Sequence, residues 1–194
     1  TAVAGDYAIR APAGNMQAQW AFRNAMNKLW EDHIAWTRSF IVAVASDSPS
    51  VPAVTNRLLQ NQVDIGNAIK PYHGTAAGDQ VTVLLKEHIT VAAEVVGAAK
   101  AGDTAKKDEA AARWFANADA IAAFLSKANS QAWPQAHMSQ MMDEHLNLTM
   151  QEAAAELTGD WNGSIAAYDK VHQQILKMSA GLADGIIGQF PDKF

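Results

Sequence analysis

The chain has 194 residues, 49% of them hydrophobic, with a formal net charge of -5 and no cysteine. That length and apolar fraction suit one domain with an ample core. The missing cysteine excludes disulfides, thiolate zinc sites, iron–sulfur clusters and covalent c-type haem. The acidic balance and the lack of a basic stripe argue against nucleic acid and against an anionic membrane surface. No apolar run approaches the ~18 residues needed to cross a bilayer. The opening Thr1-Ala2-Val3-Ala4-Gly5-Asp6 reads as a terminus left after signal removal, or as an expression remnant. The first reading points to a periplasmic or secreted protein.

Residues 1–15, with Gly5, Pro12 and Gly14, lack periodicity and read as an extended arm. From Met16 to about Ser46 apolar residues recur at helical spacing through Met26, Leu29, Trp30, His33, Phe40, Ile41 and Val44. Pro52 opens a second, shorter helix, expected to close before Pro71 because the residue before a proline is pushed out of the helical region. Tyr72-His73-Gly74 then makes a turn, with His73 in solvent. A third helix runs from about Thr75 to Ala101 on the stripe Val81, Leu84, Leu85, His88, Ala92, Val95 and Ala99. Gly102-Asp103-Thr104 ends it and caps a fourth, which reaches about Ala128 with Trp114, Asn117 or Ala118, Ile121 and Leu125 facing inward. Pro134 opens a fifth, to about Thr158, whose stripe passes Met138, Met142, His145 and Thr149 to Glu152. Gly159-Asp160 leads into the last, Trp161 to Gln189, which Pro191 stops. The expected fold is all-α: an antiparallel four- to five-helix bundle with an additional short helix, occupying residues 16–194 as a single domain. The six Trp are expected mostly to anchor helix packing.

One short box recurs in three of these helices: Leu29-Trp30-Glu31-Asp32-His33-Ile34, Leu84-Leu85-Lys86-Glu87-His88-Ile89 and Met141-Met142-Asp143-Glu144-His145-Leu146. The flanks do not match, so the boxes do not read as a repeat of whole units. Each histidine sits near the middle of its helix, and Asn117 and Asp119 sit at the same height on the fourth. Helix centres share a layer in an antiparallel bundle, so this pattern aims imidazole, carboxylate and amide groups at one level of the core. That is how bundles build metal sites. The expected ligands are His33, His88 and His145. Glu87, Glu144 and Asp119 are ligands or partners that orient them, and Asn117 is an amide ligand or hydrogen-bond donor. Glu31 points farther away.

Three imidazoles with oxygen donors suit zinc, copper, iron or manganese. Met138, Met141 and Met142 beside His137 tilt the choice to copper, although the same spacing is ordinary core filling. No box has the Glu-x-x-His spacing of ferritin-like di-iron proteins. Nor is there a phosphate loop or a GxSxG elbow, and no apolar pocket for non-covalent haem is evident. Two other readings stay open. One is a metal-free His–carboxylate layer in a pH-sensitive structural or interaction module. The other is an enzyme using His and Glu as acid and base on a small molecule held among Trp30, Trp36 and Trp114.

Leu29 to Arg38, Leu84 to His88, Arg113-Trp114-Phe115-Ala116-Asn117-Ala118-Asp119 and Glu144-His145-Leu146-Asn147-Leu148-Thr149 together resemble a family of small bacterial all-helical proteins. Its members carry names such as glycosyltransferase or acetylglutamate kinase. The resemblance spans about Leu29 to Phe190. It implies that Trp30, His33, Glu87, His88, Asn117, Asp119, Glu144 and His145 belong to one feature, and it implies no established activity.

Overall fold

The computed structural model describes residues 15–194. The extended arm therefore lies outside the described residues apart from Asn15, which begins the first helix. Among the described residues the chain forms six α-helices and one short 3-10 turn, with no strand. They are α1 (Met16–Ala45), α2 (Val51–His73), α3 (Thr75–Lys100), α4 (Thr104–Ala128), α5 (Gln135–Thr158) and α6 (Trp161–Gln189). None is long and apolar enough to cross a membrane.

The starts follow from side-chain caps. Asn15, Asp103 and Asp160 each accept a backbone N–H from the first turn of the helix they open, filling donors that the helix cannot satisfy itself. Gly159, at φ 77°, closes α5 in the left-handed conformation that a side chain disfavours. The expected stop before Pro71 does not occur: α2 continues through Pro71 to His73 and ends at Gly74, φ 84°. Near a helix end the lost N–H bond is the only one sacrificed, and Gly74 N–H still closes on Lys70 O at 2.9 Å. His73 is accordingly half-buried rather than solvated. Its ring packs edge-on to Phe190 at 5.1 Å, and burial lowers its pKa.

The short connections fold the chain into three antiparallel hairpins, α1–α2, α3–α4 and α5–α6. Each helix packs on the next, and α6 packs back on α1, so the helices close into a ring. In addition α1, α3 and α5 touch one another. The odd-numbered helices therefore line the axis, and α2, α4 and α6 brace them from outside. The shortest helix, α2, is a full member of the ring, wedged between α1 and α3.

The core divides into two apolar clusters. The larger gathers Met26, Trp30, Leu85, Trp114, Met142, Leu146 and much of α6. The smaller holds Phe40, Ile41, Leu58, Ile89, Val96 and Ala153. Three Trp anchor packing: Trp30, Trp114 and Trp133 are buried, whereas Trp20 and Trp161 are exposed. Trp133 packs closely against Gly185, where an added methyl would meet its indole at 2.4 Å.

Candidate functional site: a three-histidine layer on the bundle axis

The axial helices carry the three histidines, one each, at the junction of the two apolar clusters. His33, His88 and His145 are 3%, 3% and 4% exposed. Together with Trp30, Leu85, Met142 and Met178 they line one small cavity of about 20 Å³. The His33 and His145 ring centres are 5.8 Å apart. Burial holds all three imidazoles neutral: it takes His88 down to about 3 and His145 to about 4, and it puts His33 well below its usual value. The nearby His145 further lowers both His33 and His88, because charging one imidazole disfavours charging its neighbours.

Each imidazole is held from the neighbouring outer helix by an amide side chain 29 residues later in the chain. His88 Nδ1 lies 3.0 Å from Asn117 Oδ1, and Asn117 Nδ2 donates to Leu84 O at 3.2 Å. His145 Nδ1 lies 3.1 Å from Gln174 Oε1, and Gln174 Nε2 donates to Met141 O at 2.9 Å. In both, the amide oxygen faces the ring, so the ring proton sits on Nδ1. His88 Nε2 is then an acceptor, and Trp114 Nε1 donates to it at 3.1 Å.

The first hairpin departs from this pattern. The equivalent carbonyl, Leu29 O, is taken by Asn61 Nδ2 at 3.0 Å. Gln62 turns its Nε2 to His33 Nδ1 at 3.3 Å, sharing its two protons between that ring and the closer Leu58 O and Asn61 Oδ1, at 2.8 and 3.1 Å. His33 Nδ1 therefore accepts, and its proton sits on Nε2. The buried Gln62 Oε1 is left without a partner, as is the indole N–H of Trp30 beside the His33 ring.

The carboxylates expected alongside the histidines lie elsewhere. Glu87, Glu144 and Asp119 are all exposed, and Asp119 accepts a hydrogen bond from Ser139 on α5 instead. The physical reason is helical rotation: one residue turns the side chain by ~100°, and that carries the acid beside each buried His out to solvent. Asn117 does reach the layer, as an acceptor for His88 rather than as a group facing the cavity. Glu31 points away and pairs with His172 at 3.1 Å on the surface. Met138 and Met142 are core residues, and only Met142 borders the cavity. Among the described residues, no group of three or more His, Asp or Glu stands ready to hold a metal ion.

Sequence reasoning missed Gln62 and Gln174. The signal was present: a buried amide recurs at the same interval after each box histidine. The hairpins thus repeat the placement of an amide against each histidine, with the first differing in which end of the amide faces the ring.

A second buried polar group lies beyond the layer. Arg38 NH1 donates to Glu152 Oε1 at 2.8 Å and to Ser164 Oγ at 3.1 Å, and Ser164 Oγ donates to Glu156 Oε2 at 2.5 Å. Two carboxylates share one guanidinium here. Burial pushes Glu152 up to about 7, against the pull of Arg38.

No protein-family model, no curated protein and no solved structure matches the chain.

Proposed function

We propose that the axial layer binds one transition metal ion, copper, zinc or iron, through Nε2 of His33, His88 and His145. The observation that carries this reading is the recurrent amide clamp. An outer-helix side chain occupies Nδ1 of each ring, and all three rings border one small cavity, although His88 Nε2 is taken by Trp114 in this arrangement. Metal-bound histidines are oriented in the same way, by a partner on the nitrogen that does not bind the metal. Neutral imidazole is the ligating form, and burial keeps all three rings neutral. Three imidazoles suit copper, zinc or iron, and the carboxylates take no part as ligands.

Loading requires two local exchanges. Trp114 gives up its hydrogen bond to His88. The His33 proton moves from Nε2 to Nδ1, and Gln62 turns so that its orphaned Oε1 accepts it, releasing its bonds to Leu58 and Asn61. Trp114 fluorescence therefore reports on loading. Titration with Cu(I), Zn(II) and Co(II) should give one ion per chain, a change in tryptophan emission and a higher melting temperature. His145→Ala should lose the ion. Protein with no retained metal, and with a melting temperature that no ion moves, would overturn this reading.

The Trp114–His88 hydrogen bond favours a second reading, a metal-free polar layer that fixes helix register. In that case a cavity of about 20 Å³ has room for one water. That water would accept from Trp30 Nε1.

A further inference from the structure

A larger cavity, of about 380 Å³, lies at the other side of the layer, inside the smaller apolar cluster. Its inner end is closed by Trp114 and Thr149, and its deep walls are aliphatic, with Ile41, Leu58, Ile89 and Val96 among them. Small side chains create the space: Ala92, Ala93 and Ala99 on α3, Ala111 on α4, and Ala153 on α5 all border it. It reaches the surface between the first turns of α4, at Lys107 and Asp108, and the last turns of α5, at Ala154.

The polar groups on this wall have a consistent character. Thr37, Thr55 and Thr149 each donate their hydroxyl proton to the carbonyl four residues back, at 2.8, 2.8 and 2.9 Å. The Trp114 N–H is committed to His88. The wall therefore presents hydrocarbon and hydroxyl lone pairs, but no side-chain hydrogen-bond donor from these four residues. A carboxylate, phosphate or carbonyl brought past the mouth would find no free donor among these four residues and would pay a desolvation cost that they do not offset. At the entrance Lys107 and Asp108 form an exposed ion pair, 3.0 Å apart, so the mouth presents both signs of charge rather than one.

An apolar cavity of ~150 Å³ stays dry and takes benzene. This one is more than twice that size. Concave, mostly apolar sites of a few hundred Å³ are the usual form of small-molecule sites.

We infer that this cavity binds a neutral, hydrocarbon-like molecule larger than benzene, with at most a hydroxyl as its polar group. A ligand hydroxyl would donate to a threonine oxygen. None of the three histidines borders the cavity, so the inference stands apart from metal binding.

The test is calorimetric titration, in the presence of a chelator, with naphthalene, 1-naphthol and 1-naphthoate. Naphthalene and 1-naphthol should bind with one molecule per chain, and 1-naphthoate should bind at least tenfold more weakly than 1-naphthol. Ala153→Leu, which fills the interior, and Ala111→Leu, which narrows the half-buried mouth, should each weaken 1-naphthol at least tenfold. The second variant changes no fully buried position, so it keeps the test sound should the first fail to fold. Absence of binding by both neutral probes, equal binding of 1-naphthoate, or unchanged 1-naphthol affinity in Ala111→Leu would overturn the inference.

Discussion

At the scale of single residues, the amide clamps decide what the histidines are. Gln174 accepts from the His145 ring and also donates to the carbonyl of Met141. Gln174→Leu keeps the volume but strands the His145 Nδ1–H in the core, since Met141 O retains its own helical bond, and a stranded buried polar group costs about 1–3 kcal/mol. Urea denaturation should register a loss in that range. The two buried indoles make a sharper comparison. Trp114 donates to His88, whereas the Trp30 N–H has no partner. Substitution by Phe removes similar volume from each, but at Trp114 it also breaks a hydrogen bond and leaves His88 Nε2 unpaired. Trp114→Phe should therefore destabilise by about 1 kcal/mol or more beyond Trp30→Phe. Equal losses would mean that the Trp114 bond contributes nothing net. The histidines themselves were legible in the sequence, because a polar residue on an apolar stripe is conspicuous. Their partners were less so, since an amide on an outer helix resembles a surface residue until its neighbour is known. The acids of the boxes misled for a related reason: adjacency in sequence is not adjacency on a helix face.

At the scale of elements, the helices were readable nearly end to end, because caps, glycines and apolar period agree at most boundaries. Pro71 is the instructive exception: the local rule was outweighed by the apolar residues following it, Tyr72 above all, which packs on Phe22 and Phe194. Glycines show what sequence alone leaves hidden. Gly66 and Gly97 both lie inside helices, Gly97 in the last turn of α3, and look alike in sequence. Yet Gly66 stands against Gly78 where α2 crosses α3, and a methyl there would come within 2.5 Å of the Gly78 carbonyl. Around Gly97 there is nothing within 4 Å. Gly66→Ala should cost about 1–3 kcal/mol through overpacking against backbone. Gly97→Ala should stabilise by up to about 1 kcal/mol, because alanine loses less freedom on entering a helix. Thermal melts of the two variants should move in opposite directions, and a shared direction would contradict the crossing geometry. The alanines that open the large cavity escaped notice similarly: in a sequence they read as helix formers, and only packing reveals the space they leave.

At the scale of the whole molecule, the buried titratable groups set a pH profile. The histidine pKa values are lowered in the folded state, so their contribution is fully present above about 6.5. It is lost as pH falls towards about 4 for His145 and about 3 for His88. Each such histidine costs up to about 1.4 kcal/mol per pH unit in that window. Glu152 has the opposite sign, losing stability as pH rises from 4.5 towards about 7. Between these limits the three histidines outweigh the single acid, so the urea midpoint should fall steadily from pH 6.5 to 4.5. A midpoint unchanged across that interval would contradict neutral buried imidazoles. The ring itself carries one more consequence. Because α6 returns to α1, and Phe194 rests on Phe22 with ring centres 5.1 Å apart, the chain's order around the axis has no privileged starting point. Joining the region of Asn15 to Phe194 by a short linker and cutting at the exposed Gly102 would give a circular permutant that begins at α4 and keeps every helix-to-helix contact, losing only the covalent link between α3 and α4. Permutation succeeds at exposed loop tips of this kind, and here the three-histidine layer would be assembled from the same three helices read in a new order.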